Sequence, residues 1–162
     1  MIVNHFLEHS AERHPHKVAL VCERQRLSYA EIDIAANKMA NALREKGVRR
    51  GDRVILCLQN SVELVVGIFA TLKAEAVFVA VNATTKPEKL LYLVQNCRAA
   101  ALVLSGNQVE TAEKILNASE TLKFLVLTGK AKQEKLRSLD EPLFYDDIQN
   151  AYEANRPDCR LS

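Results

Sequence analysis

The chain has 162 residues, of which 48% are hydrophobic and 26% are charged, a balance typical of one compact globular domain. Its formal net charge is +2, and the charged residues form no long runs of one sign. The sequence therefore shows no basic patch that would bind nucleic acid. The four cysteines are widely separated and form no C-x-x-C pair, which argues against a metal or redox centre. With no signal peptide and no apolar stretch that could span a bilayer, we expect a cytoplasmic protein.

The first elements in the chain are a short helix and a hairpin. Apolar and small residues at positions 4–14 are spaced for an amphipathic helix that Pro15 ends. Residues 17–22 predict a strand, and the polar turn at 23–26 leads back into a second extended segment. These segments are expected to precede the main fold.

A longer helix begins at Ser28, where the hydrophobic period changes to three and four. Ser28 and Glu31 have the spacing of a capping box, and Gly47 is the expected C-terminal cap. Core packing explains the apolar face better than an acyl-binding wall, because any buried helix shows this spacing. That face is formed by Tyr29, Ile32, Ala36, Met39 and Leu43.

Strands then alternate with helices. Short apolar runs predict strands at 53–58, 77–81, 100–104 and 123–127. Helices are predicted between them, starting at 60 or 61, near 85–88, and at 108. The first of these has little polar surface, so we expect it to be deeply buried. Beyond a polar stretch, the sequence predicts an extended piece at 141–145 and a last helix at 146–154.

This alternation predicts an α/β fold with an open, doubly wound, mainly parallel sheet and helices on both faces. The short N-terminal helix and the hairpin precede it. We expect residues 1–154 to form one subdomain and residues 155–162 to be a linker towards a missing catalytic region.

In such sheets ligands bind at the carboxyl ends of the strands. Here these ends carry Glu23, residues 59–60, Asn82, residues 105–106 and residues 128–130. They contain no G-x-G-x-x-G motif, no complete P-loop around the Gly-Lys pair at 129–130, and no acidic cluster for Mg²⁺. An intact nucleotide site is therefore not expected in this chain.

The histidines give no clear site. His5 and His9 are four apart on a predicted helix and could meet one metal ion, but no third ligand is evident and a solvated helix face is favoured. His14 and His16 have no acid or nucleophile at motif spacing, so they are poor candidates for a general base. The sequence thus assigns no catalytic, cofactor-binding or metal-ligating residue.

Three short motifs follow one another along the chain. Residues 27–32 read L-S-Y-A-E-I, G-D-R-V at 51–54 is followed by N-S-V-E at 60–63, and residues 72–82 read L-K-A-E-A-V-F-V-A-V-N. In order and spacing they resemble the opening of the adenylate-forming enzymes, the superfamily of acyl-CoA synthetases, luciferases and nonribosomal-peptide adenylation domains. The chain thus resembles the N-terminal region of an acyl-CoA synthetase or carboxylic-acid ligase.

Two positions depart from the family pattern. Glu75 stands where the family usually has Gly, and Ala80 where it usually has Pro, so the backbone around this strand is expected to differ. The family's phosphate-binding P-K-G loop, its ribose-binding Asp and its C-terminal lysine are absent from the sequence. The resemblance thus implies a chain that is folded but catalytically silent by itself.

For the parent protein, the resemblance implies that a carboxylate attacks ATP with Mg²⁺ present, and that coenzyme A or a carrier-protein phosphopantetheine then takes the acyl group. The partner it implies is the remainder of the ligase catalytic domain, which would pack on an exposed apolar surface of this chain. The identity of the acid and the choice between a free-standing ligase and a peptide-synthetase piece stay open.

Two other interpretations compete with the ligase fragment. A stand-alone α/β interaction or regulatory module would be a well-covered monomer or a symmetric dimer. An independent nucleotide-binding domain would bind ATP without any further polypeptide.

Overall fold

The computed structural model describes residues 3–129 and 142–157. Its helices are α1 (Asn4–Arg13), α2 (Tyr29–Glu45), α3 (Val62–Lys73), α4 (Pro87–Asn96), α5 (Val109–Ala118) and α6 (Tyr145–Ala151). Its strands are β1 (Val18–Cys22), β2 (Gln25–Ser28), β3 (Arg53–Leu58), β4 (Val77–Asn82), β5 (Ala99–Ser105), β6 (Phe124–Thr128) and β7 (Leu143–Phe144). A short 3-10 turn, Gly106–Gln108, precedes α5.

Strands β3 to β7 form one parallel sheet in the order β4-β3-β5-β6-β7. Strands β1 and β2 form the predicted hairpin as a separate antiparallel pair. Helices cover both faces of the large sheet, α2, α3 and α6 on one side and α4 and α5 on the other. The predicted fold class is confirmed.

Strand β3 explains why the sheet has two cores. Its continuous apolar run leaves no polar face, and successive side chains point to opposite sides of the sheet. Leu56 packs with α2 and α3, whereas its neighbour Ile55 packs with α4 and α5. Alternation along one buried strand thus anchors the helix layers on both sides.

Helix α2 begins and ends as its sequence predicts. The backbone N–H of Ser28 donates to the Glu31 carboxylate at 2.7 Å, and the Glu31 N–H donates to the Ser28 hydroxyl at 3.3 Å. The bond from the Ser28 N–H holds the pKa of Glu31 below its usual value. At the other end Gly47 adopts φ +93°, which completes a left-handed cap.

Helix α3 differs from its prediction. One face is buried on β3 so closely that a Cβ on Gly67 would lie 3.1 Å from the Leu56 side chain. Its outer face is only partly buried within residues 3–129 and 142–157, although most of its side chains touch the edge of the core. The expectation of deep burial all round is therefore wrong for this face. The face consists of Leu64, Val65, Ile68, Phe69 and Leu72.

The turn after α3 keeps the geometry that glycine would favour. Glu75 adopts φ +61°, and its N–H donates to the Leu72 carbonyl while the Ala76 N–H donates to the Thr71 carbonyl. This pair of bonds is the Schellman pattern, whose left-handed residue is usually Gly. The expected change in backbone geometry at Glu75 therefore does not occur, and the side chain is accommodated in a strained conformation.

The C-terminal part returns to the sheet. The predicted extended piece is β7, which pairs with β6, and the last helix ends at Ala151 rather than at 154. Beyond it, the Asn155 carbonyl and the Arg156 side chain bond to α2 and α1. The division into 1–154 and 155–162 stays a prediction, and residues 130–141 and 158–162 lie outside the described part.

The apolar helices are all short. In the part of the chain that the structure describes, none has both the length and the apolar character that a membrane crossing requires. In the same residues Cys22, Cys57 and Cys97 are free thiols, and Cys57 is buried. Burial raises the pKa of the Cys57 thiol above its usual value. Cys159 lies outside the described residues.

Candidate functional site

The strand order creates a crevice at one edge of the sheet. Strands β4 and β5 lie on opposite sides of β3, and the helices that follow β3 and β5 pack on opposite faces. The loops after β3 and β5 therefore diverge at their carboxyl ends. This point, where the strand order reverses, is where open α/β sheets bind ligands.

A cavity of about 450 Å³ fills this crevice. It brings together three of the predicted strand ends, at Gln59, Ser105 and 128–129. Asn60 and Asn82 line an adjoining groove of about 540 Å³. The full lining of the crevice is Leu58, Gln59, Ser61, Glu63, Ala83, Ser105, Asn107, Gln108, Thr128 and Gly129.

The remaining predicted positions lie elsewhere. Glu23 is at the tip of the β1–β2 hairpin, which sits beside Gln59 and Asn60 in a third groove. Gly106 belongs to the turn below the crevice. Lys130, the cation of the predicted Gly-Lys pair, lies outside the described residues. The hairpin thus approaches the crevice edge without being part of the parallel sheet.

Gln108 forms one wall of the crevice. Its amide nitrogen donates to the Ala83 carbonyl at 3.2 Å and so ties the loop after β5 to the loop after β4. Its Oε1 atom is buried and accepts no hydrogen bond within the described residues. A buried acceptor without a partner is costly, so this wall is suited to a group that donates a hydrogen bond.

The described lining of the crevice carries a negative charge. Glu63 carries the only formal charge among its described lining residues. Tyr145 lies nearby, where burial and the carboxylates of Glu63 and Asp146 raise the pKa of its hydroxyl, so it stays protonated. Hydroxyl groups, amides and one carboxylate form a polar wall that holds no positive charge.

These residues do not fit the phosphates of ATP. Phosphate sites use cations, helix N-termini and glycine-rich loops whose N–H groups point at the oxygens. Among the described residues of this crevice, Gly129 is the only glycine and Glu63 would repel a phosphate. The described residues of this crevice therefore supply no group from which an adenylation step could be derived.

The histidine pair at positions 5 and 9 forms no metal site with other described residues. The rings of His5 and His9 stack on α1 with their centroids 6.2 Å apart. Over residues 3–129 and 142–157, no group of three or more His, Cys, Asp or Glu side chains could hold a metal ion. The pair is a ring contact on the helix surface.

Sequence reasoning missed six of the ten residues that line the crevice, among them Glu63, Asn107 and Gln108. Asn60 or Ser61 was predicted to cap α3, and Ser61 does so by accepting from the Leu64 N–H at 3.2 Å. Glu63, Asn107 and Gln108 were not predicted as site residues. A usable signal was present, since all three lie just after a strand, in the first residues of the next helix or turn. In parallel sheets such positions lie at the ligand edge.

The chain was compared with known proteins. A family model described as "AMP-binding enzyme" matches residues 7–158. The medium/long-chain-fatty-acid–CoA/3-oxocholest-4-en-26-oate–CoA ligase of Mycobacterium marinum is 28% identical over 144 residues. Tyrocidine synthase 2 of Brevibacillus parabrevis is 33% identical over 138 residues. The solved structure of the anthranilate CoA ligase AuaEII with anthranoyl-AMP superposes with a TM-score of 0.84 at 26% identity.

The alignments cover most of this chain but only a small part of each relative. The alignments cover 89%, 83% and 94% of this chain, but only 26% of the mycobacterial ligase, 4% of the tyrocidine synthase and 28% of the solved chain. The relatives therefore share this fold as one part of much longer proteins. Because the family model spans nearly the whole chain, the resemblance inferred from the three motifs is confirmed, and the chain belongs to the AMP-binding enzyme family.

Proposed function

We propose that this chain is the N-terminal portion of an ATP-dependent, adenylate-forming carboxylic-acid ligase. In the reaction proposed for the whole protein, a carboxylate attacks the α-phosphate of ATP, pyrophosphate leaves, and a thiol then takes the acyl group from the acyl-adenylate. The observation that carries this proposal is the family match over residues 7–158, with CoA ligases among the relatives. This chain shares its fold and its sequence motifs with these relatives, but it does not supply a complete catalytic site.

The chain's own part in that reaction is structural. Its crevice offers hydroxyl groups, amides and one carboxylate, and its described lining has no cation for a phosphate. ATP, Mg²⁺ and coenzyme A or phosphopantetheine would therefore be held mainly by polypeptide outside this chain, with no cofactor bound by this chain alone. Since stabilisation of charge on the transferring phosphate is the main catalytic requirement, the chain alone is expected to be inactive.

The acceptor thiol has two candidates. The Mycobacterium marinum relative is named as a CoA ligase of medium- and long-chain fatty acids and of 3-oxocholest-4-en-26-oate, which favours coenzyme A and a place in fatty acid metabolism. The 33% identity to tyrocidine synthase 2 favours a carrier-protein pantetheine instead, and with it an adenylation domain of a peptide synthetase. The partner is the same in both cases, namely the remainder of the ligase catalytic domain.

Two further assignments belong to the proposal. Residues 1–154 would form the N-terminal subdomain and residues 155–162 the connection to the remainder. The protein would be cytoplasmic, which is supported by the free thiols of Cys22, Cys57 and Cys97, since such thiols persist in reducing compartments.

The test is calorimetric titration with ATP and Mg²⁺. The 162-residue chain is compared with a polypeptide that continues past Ser162 into the downstream gene sequence, and both are assayed for carboxylate-dependent exchange of pyrophosphate into ATP. We expect binding and exchange from the longer polypeptide and neither from the chain. Micromolar ATP binding by the chain itself would refute its assignment as a silent fragment and support an independent nucleotide-binding domain.

A further inference from the structure

Helix α3 has an apolar outer face. At 100° per residue, Leu64, Ile68 and Leu72 lie along one stripe, with Val65 and Phe69 beside it. All five are partly exposed, although the opposite side of the helix is fully buried against β3 and α2. A helix that is hydrophobic all round is normally covered on all sides. The described chain buries one side of α3 fully and the other side only in part.

The neighbouring strand extends this apolar surface. In the parallel register Phe78 lies beside Val54 and Ala80 lies beside Leu56, so both point to the face of the sheet that carries α3. Phe78 is 37% exposed and Ala80 is also exposed. Leu64 and Ala80 line a shared groove of about 540 Å³. The α3–β4 surface, defined here as the outer face of α3 with Phe78 and Ala80, contains no charged side chain.

Strand β4 is also an open edge. Within the described residues it pairs only with β3, in a continuous register without a bulge. None of the residues from Val77 to Asn82 is charged or proline, and Val77 is 49% exposed. Natural proteins protect exposed edges with lysine, proline, bulges or a covering element. This edge has none of the first three, which points to a covering element.

We propose that the α3–β4 surface is the docking site for the remaining polypeptide of the same ligase. This inference rests on the proposed function and names the surface through which the missing partner binds. The occupant follows from the matched lengths, because this chain spans 26% of the mycobacterial ligase and 28% of the solved CoA ligase, leaving most of each relative to pack elsewhere. An uncharged apolar face with an open strand edge is the chemistry of a permanent interface rather than of a transient one.

The test is thiol labelling at matched positions. Phe78→Cys places a reactive thiol on the proposed interface, and Tyr92→Cys places one on α4, on the other face of the sheet, where Tyr92 is 62% exposed. Each is introduced into the 162-residue chain and into the polypeptide that continues past Ser162, and labelling by a maleimide is measured against the unsubstituted parent. Native thiols contribute equally to both variants.

We expect labelling at position 78 to slow about tenfold or more in the longer polypeptide, because a covered thiol reacts only after local opening. Labelling at position 92 should be unchanged. Equal labelling of Phe78→Cys in both forms, with the longer polypeptide still exchanging pyrophosphate, would overturn the docking surface and leave the proposed function intact. A second outcome would also overturn the docking surface. If Phe78→Cys in the longer polypeptide is labelled slowly only at high protein concentration, and sedimentation shows a dimer, the occupant is a second copy.

A second pair of variants tests the same surface through activity. Ile68→Glu places a charge on the interface, and Tyr92→Glu is its control on α4. In the longer polypeptide we expect Ile68→Glu to lower pyrophosphate exchange several-fold while Tyr92→Glu leaves it unchanged. Far-ultraviolet circular dichroism of the 162-residue chain should be the same for both variants, since Ile68 is already partly exposed there. Full exchange activity by Ile68→Glu would contradict the proposal.

Discussion

The ammonium group of Lys73 on α3 lies 2.9 Å from Oδ1 of Asp33 on α2. The same nitrogen lies 2.8 Å from Oε1 of Glu8 on α1, so one cation joins three helices. The Lys73 side chain is 1% exposed, and its two carboxylate partners are only slightly more accessible. Arg156 adds a second cation at the rim, 2.8 Å from Glu12 and 4.0 Å from Glu8. The lysine of the L-K-A motif is therefore a structural residue in this chain.

Replacing Lys73 with Met should destabilise the chain strongly. The substitution keeps the volume but leaves Glu8 and Asp33 facing each other without their shared cation. Removing one partner of a buried ion pair costs about 3–5 kcal/mol, which the free energy of unfolding in urea would show. Lys123→Met is the control, since Lys123 is 43% exposed in its pair with Asp52 and should cost about 1 kcal/mol or less. Equal losses for the two variants would contradict the buried role of Lys73.

Acid should weaken the same cluster. Burial alone would raise the pKa of Glu8, but the hydrogen bond and charge of Lys73, the charge of Arg156 and the Asn4 bond outweigh it and hold the pKa below the usual 4.5. A lowered folded pKa means that the stabilisation is complete above pH 4.5 and is lost as the pH falls through the folded value. The free energy of unfolding should therefore decline below that point.

Glu8→Gln separates this contribution from general acid effects. The variant is less stable at neutral pH, and its free energy of unfolding should fall less steeply than that of the parent as the pH drops below 4.5. Asp52 and Glu31 also have lowered pKa values and give both proteins a shared acid dependence. Parallel curves for the two proteins would mean that the pKa of Glu8 is not lowered by folding.

The segment after α6 is held by amide side chains of α2. Asn37 donates to the Ala154 carbonyl at 2.9 Å, and Asn41 donates to the carbonyls of Glu153 and Asn155 at 3.1 and 3.0 Å. The two asparagines are four apart and so lie on the same face of the helix. They bind the extended backbone as a pair and fix the path of the chain along α2.

Asn41→Ala should loosen this segment without unfolding the protein. Two hydrogen bonds of about 1 kcal/mol each are lost, at a site that water can reach. Chymotrypsin should then cut after Tyr152 several-fold faster, because native-state cleavage follows local opening. Asn117→Ala, at an exposed position of α5, is the control and should leave the rate unchanged. If both variants are cut at the parental rate, the Asn41 bonds do not hold the segment.

Local signals predicted most of the fold. The apolar runs at β3, β5 and β6, the capping box of Ser28 and Glu31, and Gly47 each depend on neighbouring residues, and the structure contains them all. The last helix was predicted about three residues too long, because helix ends depend on what they pack against.

Long-range features could not be predicted in this way. The crevice exists because β4 lies on the far side of β3 from β5, and that order is set by packing of whole elements rather than by any single segment. Likewise, the partners of Lys73 are 40 and 65 positions away in the chain, and nothing near Lys73 in sequence indicates that it is buried. The apolar composition of α3 was predicted correctly. Its sequence could not predict which face the rest of this chain buries, because that depends on elements elsewhere in the fold.

Glu75 offers a last prediction, in which a substitution stabilises the protein. Its backbone is held at φ +61°, where a side chain costs about 1–2 kcal/mol relative to the right-handed region and glycine costs almost nothing. Glu75→Gly should therefore raise the free energy of unfolding by about 1 kcal/mol, after allowing for the greater freedom of glycine in the unfolded chain. Glu75→Ala keeps the Cβ atom and should give no such gain. If the glycine variant is no more stable than the alanine variant, relief of backbone strain is not the reason that the family's usual residue fits this turn.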